Sequence, residues 1–299
     1  MVELANDAAT LSRVRTALLA WYQADHRDFP WRHTTDPYAV LVSEVMLQQT
    51  QASRVADRFP RFMERFPSAN ALATASEADV LAAWSGLGYN RRALALRRAA
   101  TIVARDGWPL HVDRLARLPG IGPYTARAVA SLAFDEPIGV VDTNVRRWLV
   151  RRFGLPSTAP PRQLQGAADR LAQTGTAADA AAWTHATMEF GAAICTSRAP
   201  RCDICPISRG CPSRGIAAAV PVPRQAAFTG SDRAYRGGVL RAITEAPTRA
   251  LSLAATRQLL PAEAADRVIN ALERDGLVHR SAGRIRLGGR PDPAATIGP

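Results

Sequence analysis

Two carboxylates stand in contrasting surroundings. Glu44 lies within Tyr38–Thr50 (YAVLVSEVMLQQT), where its neighbours at three and four residues are Val40, Leu41, Leu47 and Gln48. A helix here projects it from an apolar face. Burial there would raise its pKa and keep it available as a proton donor, unless one of the chain's many arginines pairs with it. Asp142 follows the apolar run Ile138-Gly139-Val140-Val141 and precedes a helical pattern at 143–152, the position of an N-cap. Capping could be its whole role. The same carboxylate, accepting backbone N–H bonds at a helix N-terminus, would also be held ionised and could stabilise a developing cation.

The four cysteines, Cys195, Cys202, Cys205 and Cys211, lie within seventeen residues at intervals of six, two and five, with no cysteine elsewhere. Such clustering in a chain without secretory features points to a four-thiolate metal site rather than disulfides. Zinc ribbons pair two close CxxC units, whereas only Cys202 and Cys205 form one here, which favours a 4Fe–4S cluster over zinc. Arg198 and Arg201 fall in the loop between the first two ligands, as a phosphate clamp or as solvated charges.

A third signal is LPGIGPYTA at 118–126. Pro119 stops one helix, Gly120 and Gly122 make a turn, and Pro123 opens the next helix where a missing N–H is tolerated. This is a helix–hairpin–helix, whose free N–H groups can hold a DNA phosphate without reading sequence; taken alone it could be a helical corner.

The formal charge is +12, and all 38 basic residues are arginine. The excess over 26 acids points to a polyanionic partner, nucleic acid first. Without lysine there is no side-chain amine for a Schiff base. No run approaches the roughly 20 apolar residues of a membrane span, and the N-terminal segment has no cleavage-site pattern, so a cytoplasmic protein is expected.

The elements that must hold these residues are mainly helices. Helical spacing marks 11–24, 38–50, 53–65, 77–84, 91–104, 125–133, 143–152, 163–172 and 179–193, with no strand series before 220. A linker is expected at 221–230. Beyond it, three short helices at 231–246, 249–259 and 262–275 and a hairpin at 278–287 predict a winged-helix-like module within 231–290. Its role stays open among DNA contact, protein docking and stabilisation.

SEVMLQQTQ at 43–51, Gly86-Leu87-Gly88-Tyr89, the 118–126 hairpin, Val141-Asp142-Thr143-Asn144 and the cysteine pattern together resemble the MutY family of adenine DNA glycosylases, over about residues 10–215. The resemblance implies an all-α, two-lobed helix–hairpin–helix glycosylase: a six-helix domain at 30–135, a 4Fe–4S domain of 1–29 with 136–220, and DNA in the cleft between. It implies a monofunctional enzyme that flips adenine out of duplexes carrying A·8-oxoG or A·G mispairs and acts as a bacterial, nucleoid-associated monomer. Glu44 would protonate adenine N7, and Asp142 would stabilise the oxocarbenium-like sugar with support from Tyr124 and Asn144. Arg27, Phe29, Trp31 and Glu189 match the adenine pocket, Gln49 and Tyr89 the wedge beside the orphan base, and Gly120 and Gly122 the phosphate-binding turn.

Two alternatives differ. A thymine- or uracil-mismatch glycosylase of the same fold also carries tyrosine at the position of Tyr124, whereas endonuclease III-type lyase chemistry needs a lysine there. A non-catalytic iron–sulfur DNA-binding regulator would leave Glu44 and Asp142 without a task. The chain departs from the family in having a short tail where a Nudix-like domain usually helps recognise 8-oxoguanine. Discrimination of that lesion would then rest on the wedge residues or be reduced.

Overall fold

The computed structural model describes residues 7–216 and 228–289. The chain begins with α1 (Ala8–Ala24), α2 (Pro37–Leu47), α3 (Ala52–Arg65), α4 (Ala69–Thr74), α5 (Glu77–Ala83) and α6 (Arg91–Asp106). There follow α7 (Val112–Leu115), α8 (Pro123–Ala133), α9 (Thr143–Phe153), α10 (Pro161–Ala172) and α11 (Ala180–Ala193). The last part holds α12 (Asp232–Glu245), β1 (Ala250–Ser252), α13 (Leu253–Gln258), α14 (Ala262–Arg274), β2 (Val278–Ser281) and β3 (Arg284–Leu287). Among the described residues no strand precedes Ala250, as the sequence pattern predicts, and no helix is long and apolar enough to cross a membrane. Most of the expected linker at 221–230 lies outside the described residues.

Two compact units divide the chain, residues 1–44 with 109–223 and residues 45–108 with 224–299. In the first unit α8 lies against α11, and in the second β3 lies against α5.

The first unit is organised around α11, against which α1, α8 and α9 pack. Leu11, Val14 and Leu18 of α1 meet Trp148 and Leu149 of α9, Leu164 and Leu171 of α10, and Trp183 and Phe190 of α11 in one core. Trp148 meets the Phe190 ring edge-on at 5.9 Å. Burial of each large side chain here contributes about 1.5–3 kcal/mol before the entropy of ordering is subtracted. Two close approaches fix the segment that delivers Asp142. At Gly139 an added Cβ would stand 2.4 Å from the Ala168 backbone, and at Gly191 one would stand 2.7 Å from the Asn144 carbonyl oxygen. Asp169 then clamps Gly139, accepting its N–H at 2.8 Å and pairing with Arg127.

In the second unit, Phe62 meets Phe66 and Trp84 edge-on at 5.0 and 5.8 Å. The C-terminal part has the winged-helix order, α12-β1-α13-α14-β2-β3, with an antiparallel sheet in the order β1-β3-β2. Ile285 of β3 faces Leu251 on one side and Arg280 on the other. Polar contacts seat this module on the helices. Asp79 takes Arg65 at 2.7 Å and Arg249 at 2.8 Å, and Glu77 accepts the Gly289 N–H at 2.8 Å.

Candidate active site

Helix α2 carries Glu44 on a turn whose neighbours Val40, Leu41 and Val45 are all buried, and Glu44 itself is only 4 % exposed. Burial pushes its pKa up to about 7; the Asp142 charge adds to the rise, and a hydrogen bond from Tyr124 opposes it. Tyr124 sits in the first turn of α8, which Pro123 starts immediately after the hairpin. Its hydroxyl is itself held well above the usual phenol range by burial and by the two nearby carboxylates, so it is a donor towards Glu44. The Met188 sulfur lies 3.9 Å from the same hydroxyl.

Asp142 is the N-cap of α9. Its Oδ1 accepts the Val145 N–H at 2.6 Å and its Oδ2 accepts the Asn144 side-chain amide at 2.7 Å. These bonds favour the ionised form, as expected, but they do not set the net shift. Burial raises its pKa and outweighs the donors, which oppose the rise without reversing it. Asn144 is held in turn by Arg147, which donates to Asn144 Oδ1 at 2.9 Å and to the Cys195 carbonyl at 2.8 Å. Four residues expected to act together, Glu44, Tyr124, Asp142 and Asn144, are therefore linked in one polar cluster.

A second cluster surrounds Glu189, which is 1 % exposed on α11. Arg27 engages it with two bonds of 2.6 and 2.9 Å, and Arg32 adds a third at 2.6 Å. These two guanidinia outweigh burial and hold the carboxyl below its usual range. Phe29 and Trp31 stack at 4.8 Å beside them, with Arg27 and Arg32 lying 5.2 and 5.0 Å from the Phe29 ring. His185 on the same helix has its pKa pushed down to about 3 by burial and by Arg32, so it is a neutral group.

The four cysteines line one pocket together with Trp148, Phe190, Ile194, Ile207, Arg151 and Arg152. Arg151 lies 3.6 Å from Cys195 Sγ, and the Arg152 Nε is buried with no hydrogen-bond partner. Among the described residues no group of three or more His, Cys, Asp or Glu side chains is placed to hold a metal ion. Arg201 lines this pocket, whereas Arg198 is exposed beyond it. In the hairpin turn Gly120 takes φ +78°, while Gly122 is extended and caps α8.

Gln49 and Tyr89 belong to the second unit and share a signature: both are non-glycine residues with positive φ, +56° and +46°. Arg32 and Arg147 had no signal in the sequence, because their partners Glu189 and Cys195 are 157 and 48 residues away.

A buried glutamate on α2, a tyrosine in the hairpin's second helix and an aspartate capping α9 meet in one site, the arrangement of a base-excision DNA N-glycosylase. A model of the HhH-GPD superfamily base excision DNA repair proteins matches residues 42–173. The adenine DNA glycosylase of Mycobacterium tuberculosis is 45% identical over 92% of this chain and 93% of its own, and that of Mus musculus is 40% identical over 70% and 43%. A thermostable thymine-DNA glycosylase structure superposes with a TM-score of 0.62 at 28% identity, covering 70% of this chain and 99% of its own. The chain belongs to the adenine DNA glycosylase family.

Proposed function

We propose that this protein binds duplex DNA and hydrolytically removes adenine mispaired with guanine or 8-oxoguanine, acting as a monomer. The observation that carries the reading is the Glu44–Tyr124–Asp142 cluster. It sets a carboxyl group protonated near neutrality beside a capped carboxylate, the two roles that N-glycosidic cleavage needs. Glu44 donates its proton to N7 of the flipped adenine, which makes the base a leaving group. As the C–N bond breaks, positive charge develops on the sugar, and Asp142 stabilises it from the N-terminus of α9. Adenine leaves, and water adds to the sugar carbon while its proton passes to the Glu44 carboxylate, which restores the acid. Tyr124 orients Glu44, Asn144 orients Asp142, and Glu189 with Arg27 forms the polar side of the base pocket against Phe29 and Trp31. With no lysine in the chain, a lysine-dependent lyase step is absent.

The cysteine pocket fits a 4Fe–4S cluster. It has four thiols, apolar walls, and guanidinium groups positioned to offset thiolate charge. Cys195, Cys202, Cys205 and Cys211 would hold the cluster, which when bound would cross-link the loop bearing Arg198 and Arg201 for phosphate contact.

Single-turnover assays on A·G, A·8-oxoG, T·G and C·A duplexes, each with and without alkali, test this reading. Free adenine should appear from the first two, with strand breaks only after alkali. Thymine release, or breaks without alkali, would sink it.

A further inference from the structure

The loop bearing Tyr89 is under unusual constraint. Gly86, Gly88 and Tyr89 take φ of +90°, +72° and +46°, and such backbone at a bulky residue persists only where its surroundings hold it. Three guanidinium groups do so. Arg58 lies against Gly86, where an added Cβ would stand 3.0 Å from its Nη2. Arg92 donates to the Gly88 carbonyl at 3.1 Å and lies 5.4 Å from the Tyr89 ring. The third, Arg233, comes from the C-terminal module, in the first turn of α12, and reaches the Tyr89 hydroxyl at 3.3 Å.

Arg233 does not come alone. Its guanidinium lies 5.2 Å from the ring of Phe228, whose carbonyl accepts the Ser231 N–H and hydroxyl at 3.1 and 2.6 Å at the start of α12. Phe228 is 58% exposed and Tyr89 37% exposed. Anchored aromatics interleaved with arginine suit nucleic acid, because every base has a face to stack on and every linkage a phosphate. The rest of the module points away from that role. Helix α14, the reading helix of a winged-helix module, carries Glu263, Asp266 and Glu273 against Arg267 and Arg274. Three of these five charges are also engaged: Asp266 by Arg257, Glu273 by Arg280 and Arg267 by Asp232.

We propose that the C-terminal module extends the Tyr89 loop into a contact with duplex DNA, Phe228 stacking on a nucleobase and Arg233 binding a phosphate. The module would then act through the start of α12 and not through α14. This rests on the glycosylase reading above.

Binding of the full-length protein to a duplex with a tetrahydrofuran abasic site opposite guanine, followed by fluorescence anisotropy across a salt series, tests it. F228A and R233Q should each raise Kd about tenfold. R233Q should also lower the slope of log Kd against log salt by about 1, while F228A leaves the slope unchanged. The thermal melt of F228A should match the parent. Unchanged Kd and slope in both variants overturns the proposal, as does a lowered melting temperature with unchanged Kd, the mark of a purely structural contact. If the parent releases no adenine from any duplex, the glycosylase reading falls. If the parent releases adenine and the variants bind as it does, only this inference falls.

Discussion

Tyr124 donates a hydrogen bond to the Glu44 carboxyl from the first turn of the hairpin's second helix, yet burial still pushes that carboxyl up to about 7. The bond favours the ionised form and the apolar surroundings favour the neutral one, and the surroundings win. Glu44 is therefore a proton reservoir near neutral pH.

Adenine release should accordingly depend on Glu44 being protonated. The single-turnover rate should be flat below pH 7 and fall about tenfold per pH unit above it, and E44Q should lower the rate by at least 10³-fold. A rate that climbs with pH across this range would exclude Glu44 as the acid.

Removing the tyrosine hydroxyl has a direction set by the same balance. The Tyr124 bond lowers the Glu44 pKa, so Y124F should move the alkaline limb of the profile to higher pH while reducing its plateau. A limb that stays in place would show that the bond does not reach the reacting carboxyl.

Glu44 also has a stability consequence with a definite sign. Its folded pKa is raised from 4.5 to about 7, so the native state binds the proton more tightly than the unfolded chain does. The native state is penalised progressively as pH rises from about 4.5 to 7, reaching roughly 3 kcal/mol at most. E44Q should be near neutral to stability at pH 4 and should raise Tm at pH 8, a pattern that differential scanning calorimetry at the two pH values would detect. Equal effects at both would contradict the buried-acid assignment.

How much of this was legible in the sequence follows from the range of each interaction. The burial of Glu44 could be read from Val40, Leu41 and Leu47, and the cap at Asp142 from an apolar run ending at a helix start, because both are local. The upward shift of Asp142 could not be read, since it depends on what packs around the cap. Arg32 and Arg147 were invisible for the same reason. Strand β1, three residues long, lies inside a stretch whose spacing suggested one helix at 249–259, and the six-residue α4 is too short to show a period. The packing of α8 against α11 is likewise a long-range choice that no local pattern encodes.

Asp142 has two roles that one pair of substitutions separates. Asparagine caps a helix as well as aspartate does, so D142N should stay within about 0.5 kcal/mol of the parent in stability while losing adenine release. D142A removes the acceptor of the Val145 N–H and should cost about 1 kcal/mol in addition. Chemical denaturation with parallel activity assays would distinguish them. Full activity in D142N would reduce Asp142 to a cap.

The Glu189 cluster predicts unequal effects from its two arginines. The Arg32 side chain is 8% exposed and the Arg27 side chain 52%, although both approach Glu189 to 2.6 Å. Removing the buried partner leaves a carboxylate in low dielectric with less compensation, so R32A should cost about 3–5 kcal/mol. R27A, at a solvent-screened position, should cost no more than about 1 kcal/mol. If Glu189 and Arg27 form the polar wall of the adenine pocket, R27A should still raise KM, because the loss falls on base binding and not on the fold. Urea denaturation of both variants, with KM measured for R27A, checks the pair together. Equal destabilisation would mean that burial does not set the strength of these bonds, and an unchanged KM in R27A would remove Arg27 from the pocket.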